Sequence, residues 1–126
     1  MEPYNITTSH APQAIGPYSQ AIVAKPWVYC SGQIPLNPET QQIIEGTIEE
    51  QTQQVLQNLS AVLKAAGSDL SKVVKTTIFL TDLEMFQKVN TIYQKFFHDP
   101  HPARSTIQVS ALPLGALIEV EAIAIC

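Results

Sequence analysis

The sequence predicts an α+β fold: a mixed β-sheet with two helices packed on one face. Two stretches carry the 3.6-residue apolar spacing of amphipathic helices, and five segments read as strands, in the order β-β-α-β-α-β-β. A short extra strand is also read near Tyr4–Thr7. With 126 residues the chain is read as a single domain spanning 1–126, long enough for one core.

The elements follow in order. Ala11-Pro12 to Gly16-Pro17-Tyr18 is a loop by its prolines and its Gly-Pro pair. A strand over Ser19–Ala24, a turn at Lys25-Pro26 and a strand over Trp27–Ser31 make a hairpin, closed by Gly32-Gln33-Ile34-Pro35. Gly32 at the strand end permits φ > 0 or a close approach of the backbone to a ligand. Leu36 to Thr40 is a turn-rich connection. The long helix starts at a capping box, Thr47 with Glu50, and stops at Gly67. Ile48, Thr52, Val55, Leu56, Leu59, Val62, Leu63 and Ala66 form its buried face, and Glu49, Gln53, Gln57, Ser60 and Lys64 its wet one. Val73–Leu80 is a strand with Val74, Thr76, Ile78 and Leu80 on one side. Asp82 caps a second helix whose stripe is Phe86, Val89, Tyr93, Phe96 and Phe97, interrupted by Asn90. His98-Asp99-Pro100-His101-Pro102 ends it.

Two final strands are expected to pair about a turn at Ala111–Pro113. Strand alternation puts Arg104, Thr106 and Gln108 on one face of the first. On the second, Leu117, Glu119, Glu121, Ile123 and Ile125 share a face. That pairing would set Arg104 opposite or near Glu119. Two readings follow: a cross-strand ion pair of modest worth, or a guanidinium that grips a substrate carboxylate beside a carboxylate that handles a proton.

Composition narrows the function. The chain is 45% hydrophobic and 14% charged, with a net charge of −4, so nothing draws it to nucleic acid or to an anionic membrane. No secretory leader or membrane-spanning run is read, and the expected compartment is cytoplasmic. Cys30 in an apolar strand and Cys126 form neither a disulfide framework nor a metal spacing, and Cys30 reads as a core thiol. The five glycines are too scattered for a phosphate loop, and His98, Asp99 and His101 sit in a rigid proline loop that argues against a metal site. No cofactor is implied. Helices on one face leave the other uncovered, while several strands are apolar on both sides. That predicts a homo-oligomer.

Several motifs occur together and in register: Gly16-Pro17-Tyr18-Ser19-Gln20-Ala21, Ser31-Gly32-Gln33-Ile34-Pro35, Val74 to Leu80, Val89-Asn90 and Pro102-Ala103-Arg104-Ser105. In these the chain resembles the Rid (YjgF) family, the reactive intermediate or 2-iminobutanoate/2-iminopropanoate deaminases, from about Ala11 to Ile125. The resemblance implies a chorismate-mutase-like fold assembled as a homotrimer with clefts between subunits. It implies hydrolysis of 2-imino acids to 2-oxo acids and ammonia, with these small acids as the partners. Carried onto this chain, Arg104 would hold the substrate carboxylate and Glu119 would orient or activate water. Tyr18, Ser31, Gly32, Phe86 and Asn90 match cleft-lining positions, although Phe86 can equally be packing and Ser31 a strand-end hydrogen-bonder. Thr106 stands where many relatives carry cysteine, and its hydroxyl can bond substrate. Two other readings accompany the enzyme: a 2-oxo-acid-binding regulatory module, and an RNA-cleaving translation inhibitor, against which the acidic balance argues.

Overall fold

The computed structural model describes residues 2–126. Its strands are β1 (Tyr4–Ile6), β2 (Ala21–Ala24), β3 (Trp27–Gln33), β4 (Leu36–Asn37), β5 (Gln42–Ile43), β6 (Val73–Leu80), β7 (Ala103–Gln108) and β8 (Ile118–Ile125). The helices are α1 (Ile48–Ala65) and α2 (Phe86–Phe96). Six strands form one mixed sheet in the order β1-β2-β3-β8-β6-β7, and β4 and β5 make a small separate hairpin. The turn-rich connection expected at Leu36–Thr40 is this hairpin's first strand and its turn, which spans residues 38–41.

α1 forms for the reasons visible in its sequence. The Thr47 hydroxyl accepts from the Glu50 N–H at 3.2 Å, and the Glu50 carboxylate accepts from the Thr47 N–H at 3.0 Å. Gly67 ends the helix with φ of +79°, the left-handed value that glycine adopts without strain. Val55, Leu56, Leu59, Val62 and Leu63 are fully buried against the sheet. Gln51 and Asn58 are buried on the same face, which apolar periodicity alone does not foresee. Both earn their place by hydrogen bonding: Gln51 Oε1 accepts from the Leu117 N–H, and Asn58 Nδ2 donates to the carbonyls of Ile34 and Leu36.

Three expectations need correction. β7 and β8 are not a hairpin: β7 runs parallel to β6 at the sheet edge, and β8 lies between β3 and β6, antiparallel to both. The reason is the connection through α2, which returns the chain parallel to β6 as in a βαβ unit. The segment after β7, with a helical turn at Pro113–Gly115, then carries the chain back to the sheet centre. Val74 does not share a side with Thr76. A register shift between Val73 and Lys75 buries Val73 and leaves Val74 exposed. Asp82 caps a short 3₁₀ turn, Leu83–Met85, that leads into α2, accepting from the Glu84 N–H at 2.9 Å.

The helices cover one face of the sheet, where Thr76, Ile78 and Leu80 of β6 and Ile118, Val120, Ala122 and Ala124 of β8 are buried. The opposite face carries Trp27, Tyr29, Ile107 and Ile125, each at least 40% exposed. No helix among the described residues is long and apolar enough to cross a membrane.

Candidate active site

Arg104 is held at the edge of the sheet beneath α2. It stands opposite Thr76 in the β6–β7 register, so its side chain shares the helix-covered face with Thr76. Its guanidinium carbon lies 4.9 Å from the Tyr93 ring centroid and 5.3 Å from that of Phe86. The Tyr93 hydroxyl is 2.8 Å from the Thr76 hydroxyl, and the Tyr93 ring stacks on Phe97 at 4.4 Å. Burial pushes the Tyr93 phenol up, against the lowering effects of the Thr76 hydrogen bond and the Arg104 charge. Arg104, Asn90, Tyr93, Gln94, His101 and Pro102 line a cleft of about 360 Å³. Asn90 Oδ1 is buried there without a hydrogen-bond partner. A buried acceptor without a partner costs on the order of 1–3 kcal/mol, and Asn90 Oδ1 is the one such side-chain atom among the described residues.

Glu119 lies elsewhere. In the β6–β8 register it stands opposite Phe79, three residues along β6 from Thr76, which puts it on the open face. Arg104 and Glu119 therefore occupy opposite faces of the sheet with β6 between them. The ion pair is excluded: among the described residues the only one is His101 with Asp99, at 3.8 Å. Glu119 joins Pro12, Tyr18, Gln20, Ser31, Gly32 and Pro113 around a second cleft of about 350 Å³. A register shift in β3 between Cys30 and Gln33 bends the strand there. A Cβ on Gly32 would overlap the Glu119 carboxylate, lying 2.8 Å from its Cδ, so this glycine makes room for the acid. Half-burial raises the Glu119 pKa first, and the negative charge of Glu121 raises it further.

The expected cleft residues thus fall into two groups. Tyr18, Ser31 and Gly32 gather with Glu119, while Phe86 and Asn90 gather with Arg104. Thr106 shares the Arg104 face two residues on, opposite Ile78. Ser31 also meets its structural reading, since its hydroxyl donates to the Ser19 carbonyl at 2.6 Å. Gln20 is 4% exposed and ties the N-terminal loop to the sheet: its Oε1 accepts from the Thr8 N–H, and its Nε2 donates to the Thr8 and Pro12 carbonyls. Cys30 is a core thiol, pushed up to about 12 by burial. No three His, Cys, Asp or Glu side chains converge among the described residues. Tyr93 was expected only as part of the α2 core stripe, and no periodicity signal separates a core tyrosine from one that lies under a guanidinium.

Fold, register and these residues define a class: small α+β domains with a six-stranded mixed sheet, an edge-strand arginine beneath the second helix and an acid on the open face. A sequence profile of the family described as Endoribonuclease L-PSP matches residues 8–126. Reactive Intermediate Deaminase A, chloroplastic, of Arabidopsis thaliana is 56% identical over 119 residues, covering 94% of this chain and 64% of that protein. The human 2-iminobutanoate/2-iminopropanoate deaminase is 48% identical over 120 residues, covering 95% of this chain and 88% of that protein. A crystal structure of the Yersinia pestis Rid-family protein YyfA, itself described as of unknown function, superposes with a TM-score of 0.96. It is 52% identical, over 99% of this chain and all of that one. The chain belongs to the Rid (YjgF) family.

Proposed function

We propose that this protein hydrolyses small 2-imino acids and their enamine tautomers, such as 2-iminopropanoate and 2-iminobutanoate, to 2-oxo acids and ammonia. The reaction takes place in clefts between copies of a chorismate-mutase-like homotrimer whose open sheet faces turn inward. One observation carries this reading: Arg104 and Glu119, neither with an ion-pair partner among the described residues, stand on opposite faces of one sheet. A site that uses both needs the Arg104 half from one copy and the Glu119 half from another. The names of the human and Arabidopsis relatives supply the substrate class.

The chemistry follows from the two groups. The guanidinium fork of Arg104 takes the planar carboxylate in a bidentate grip that a lysine could not offer. This fixes C2, the imine carbon, and such positioning is the main source of rate. With the imine nitrogen protonated, Glu119 removes one proton from water as the water oxygen bonds to C2 and the C=N π pair returns to nitrogen. Glu119 passes that proton to the nitrogen. It then takes the hydroxyl proton as C=O forms and the C–N bond breaks with its electron pair on nitrogen, and passes that proton to the departing ammonia, which leaves as ammonium and restores the carboxylate. Burial and the Glu121 charge raise the Glu119 pKa, which makes its ionised form a better base than an exposed carboxylate. A net charge of −4 gives an RNA backbone little purchase, which disfavours the nuclease sense of the family description.

The test is an imine-hydrolysis assay in which a threonine dehydratase generates the imine and semicarbazide competes for it. Wild type should suppress semicarbazone formation, while folded Arg104→Ala and Glu119→Gln should not. After dissociation and reassembly together, the two inactive variants should regain activity, because some clefts then pair an intact Arg104 with an intact Glu119. No recovery from verified mixed assemblies would refute the shared site. Inactivity of the wild type would refute the deaminase, and if 2-oxobutanoate still bound through Arg104 the regulatory reading would replace it.

A further inference from the structure

We infer that Tyr93 is a positioning residue: the face of its ring aims the Arg104 guanidinium, and Thr76 fixes the ring in turn. The inference rests on the reading of Arg104 as the carboxylate-binding group. An arginine on an edge strand has several rotatable bonds, and a ligand that met it loose would have to freeze them. Here the guanidinium carbon sits 4.9 Å from the Tyr93 centroid and 5.3 Å from that of Phe86, two rings spaced two turns apart on one side of α2. Tyr93 is itself constrained, 5% exposed, stacked on Phe97 and hydroxyl-bonded to Thr76 at 2.8 Å. Thr76 is fully buried and is also the residue that faces Arg104 across the β6–β7 pairing.

The contacts close a ring. Strand pairing ties Arg104 to Thr76, the two hydroxyls tie Thr76 to Tyr93, and the aromatic face ties Tyr93 back to the guanidinium. Aromatic faces hold a cation without occupying its N–H donors, so the fork remains free for a carboxylate. A phenylalanine at 93 would keep the face and lose the anchor. A leucine would lose both.

The experiment measures two quantities on the assembled protein: the ¹⁵N order parameter of the Arg104 Nε–H, and the Kd for 2-oxobutanoate by calorimetry. Wild type should show a rigid Nε–H. Tyr93→Leu should make it mobile and weaken 2-oxobutanoate about tenfold. Tyr93→Phe and Thr76→Val, which disturb packing little, should each give a smaller loss of order and about a threefold rise in Kd. A mobile Nε–H in wild type, or unchanged order and affinity in the folded variants, overturns the inference. If Tyr93→Leu does not fold, the two milder variants decide the matter by the same criteria. Arg104→Ala separates the two levels: wild-type affinity in that variant refutes the carboxylate-binding reading, whereas lost affinity there with unaffected Tyr93 and Thr76 variants refutes only the positioning role.

Discussion

Gly32 and Glu119 are in close contact across β3 and β8. Because a Cβ at 32 would meet the Glu119 carboxylate, Gly32→Ala must displace the acid. A displacement of about 1 Å costs about a hundredfold in rate when positioning supplies the catalysis. Imine hydrolysis by this variant should fall by that order while its circular dichroism stays native. Glu119 also sets a pH signature. Its folded pKa is raised, chiefly by burial, so the active base form is gained as pH climbs through a value above the ordinary carboxylate range. A pH–rate profile should show this acidic limb. Glu121→Gln should move the limb to lower pH, because it removes the neighbouring negative charge. The linkage to stability has the opposite sense from that of a salt-bridged acid. The fold disfavours ionised Glu119, so the penalty is absent below the unfolded-state pKa and complete above the folded one. Glu119→Gln should therefore raise the melting temperature at neutral pH and lose that advantage in acid.

At the scale of elements, α1 follows from its sequence because its determinants are local. The capping box, the apolar stripe and the glycine stop lie within about twenty residues, and each appears as expected. Thr47→Ala should cost about 1 kcal/mol in denaturant unfolding, the usual worth of an N-cap hydroxyl. The faces of β7 and β8 were equally readable, since alternation is local too. Their pairing was not. A turn motif at Ala111–Pro113 between two strands looks like a hairpin, and nothing near it in sequence reports that α2 has already placed β7 parallel to β6. The site inherits the difference: the adjacency of Arg104 and Glu119 that the sequence suggests depends on a hairpin that does not form. Gln20 was equally hidden. Its partners are carbonyls and an N–H in a loop without secondary structure, which no periodicity encodes.

For the whole molecule, the open sheet face decides behaviour. Trp27, Tyr29, Ile107 and Ile125 lie on that side at 40–47% exposure, a pattern that a lone domain in water would carry at a cost in solubility. We expect wild type to scatter light as a trimer at micromolar concentration. Ile107→Asp or Tyr29→Asp should shift the mass to that of a monomer and abolish imine hydrolysis, although neither residue belongs to the proposed catalytic pair. A monomer that stayed active would contradict the composite cleft.

The position of β8 has a consequence for how the chain comes together. It follows every other element in sequence, yet it sits at the centre of the sheet, joined to β3 on one side and β6 on the other. Until β8 docks, β1-β2-β3 and β6-β7 have no hydrogen bonds between their nearest edges. Each presents an unpaired strand, β3 or β6, to the same missing partner. Such edges are templates for pairing with the wrong chain, and long-range closure of this kind is slow. The stage of folding before β8 docks is thus the one at which the chain is most open to association through its sheet edges. A peptide of sequence Ile118–Ile125 added in trans should compete for that gap and trap the unfinished sheet.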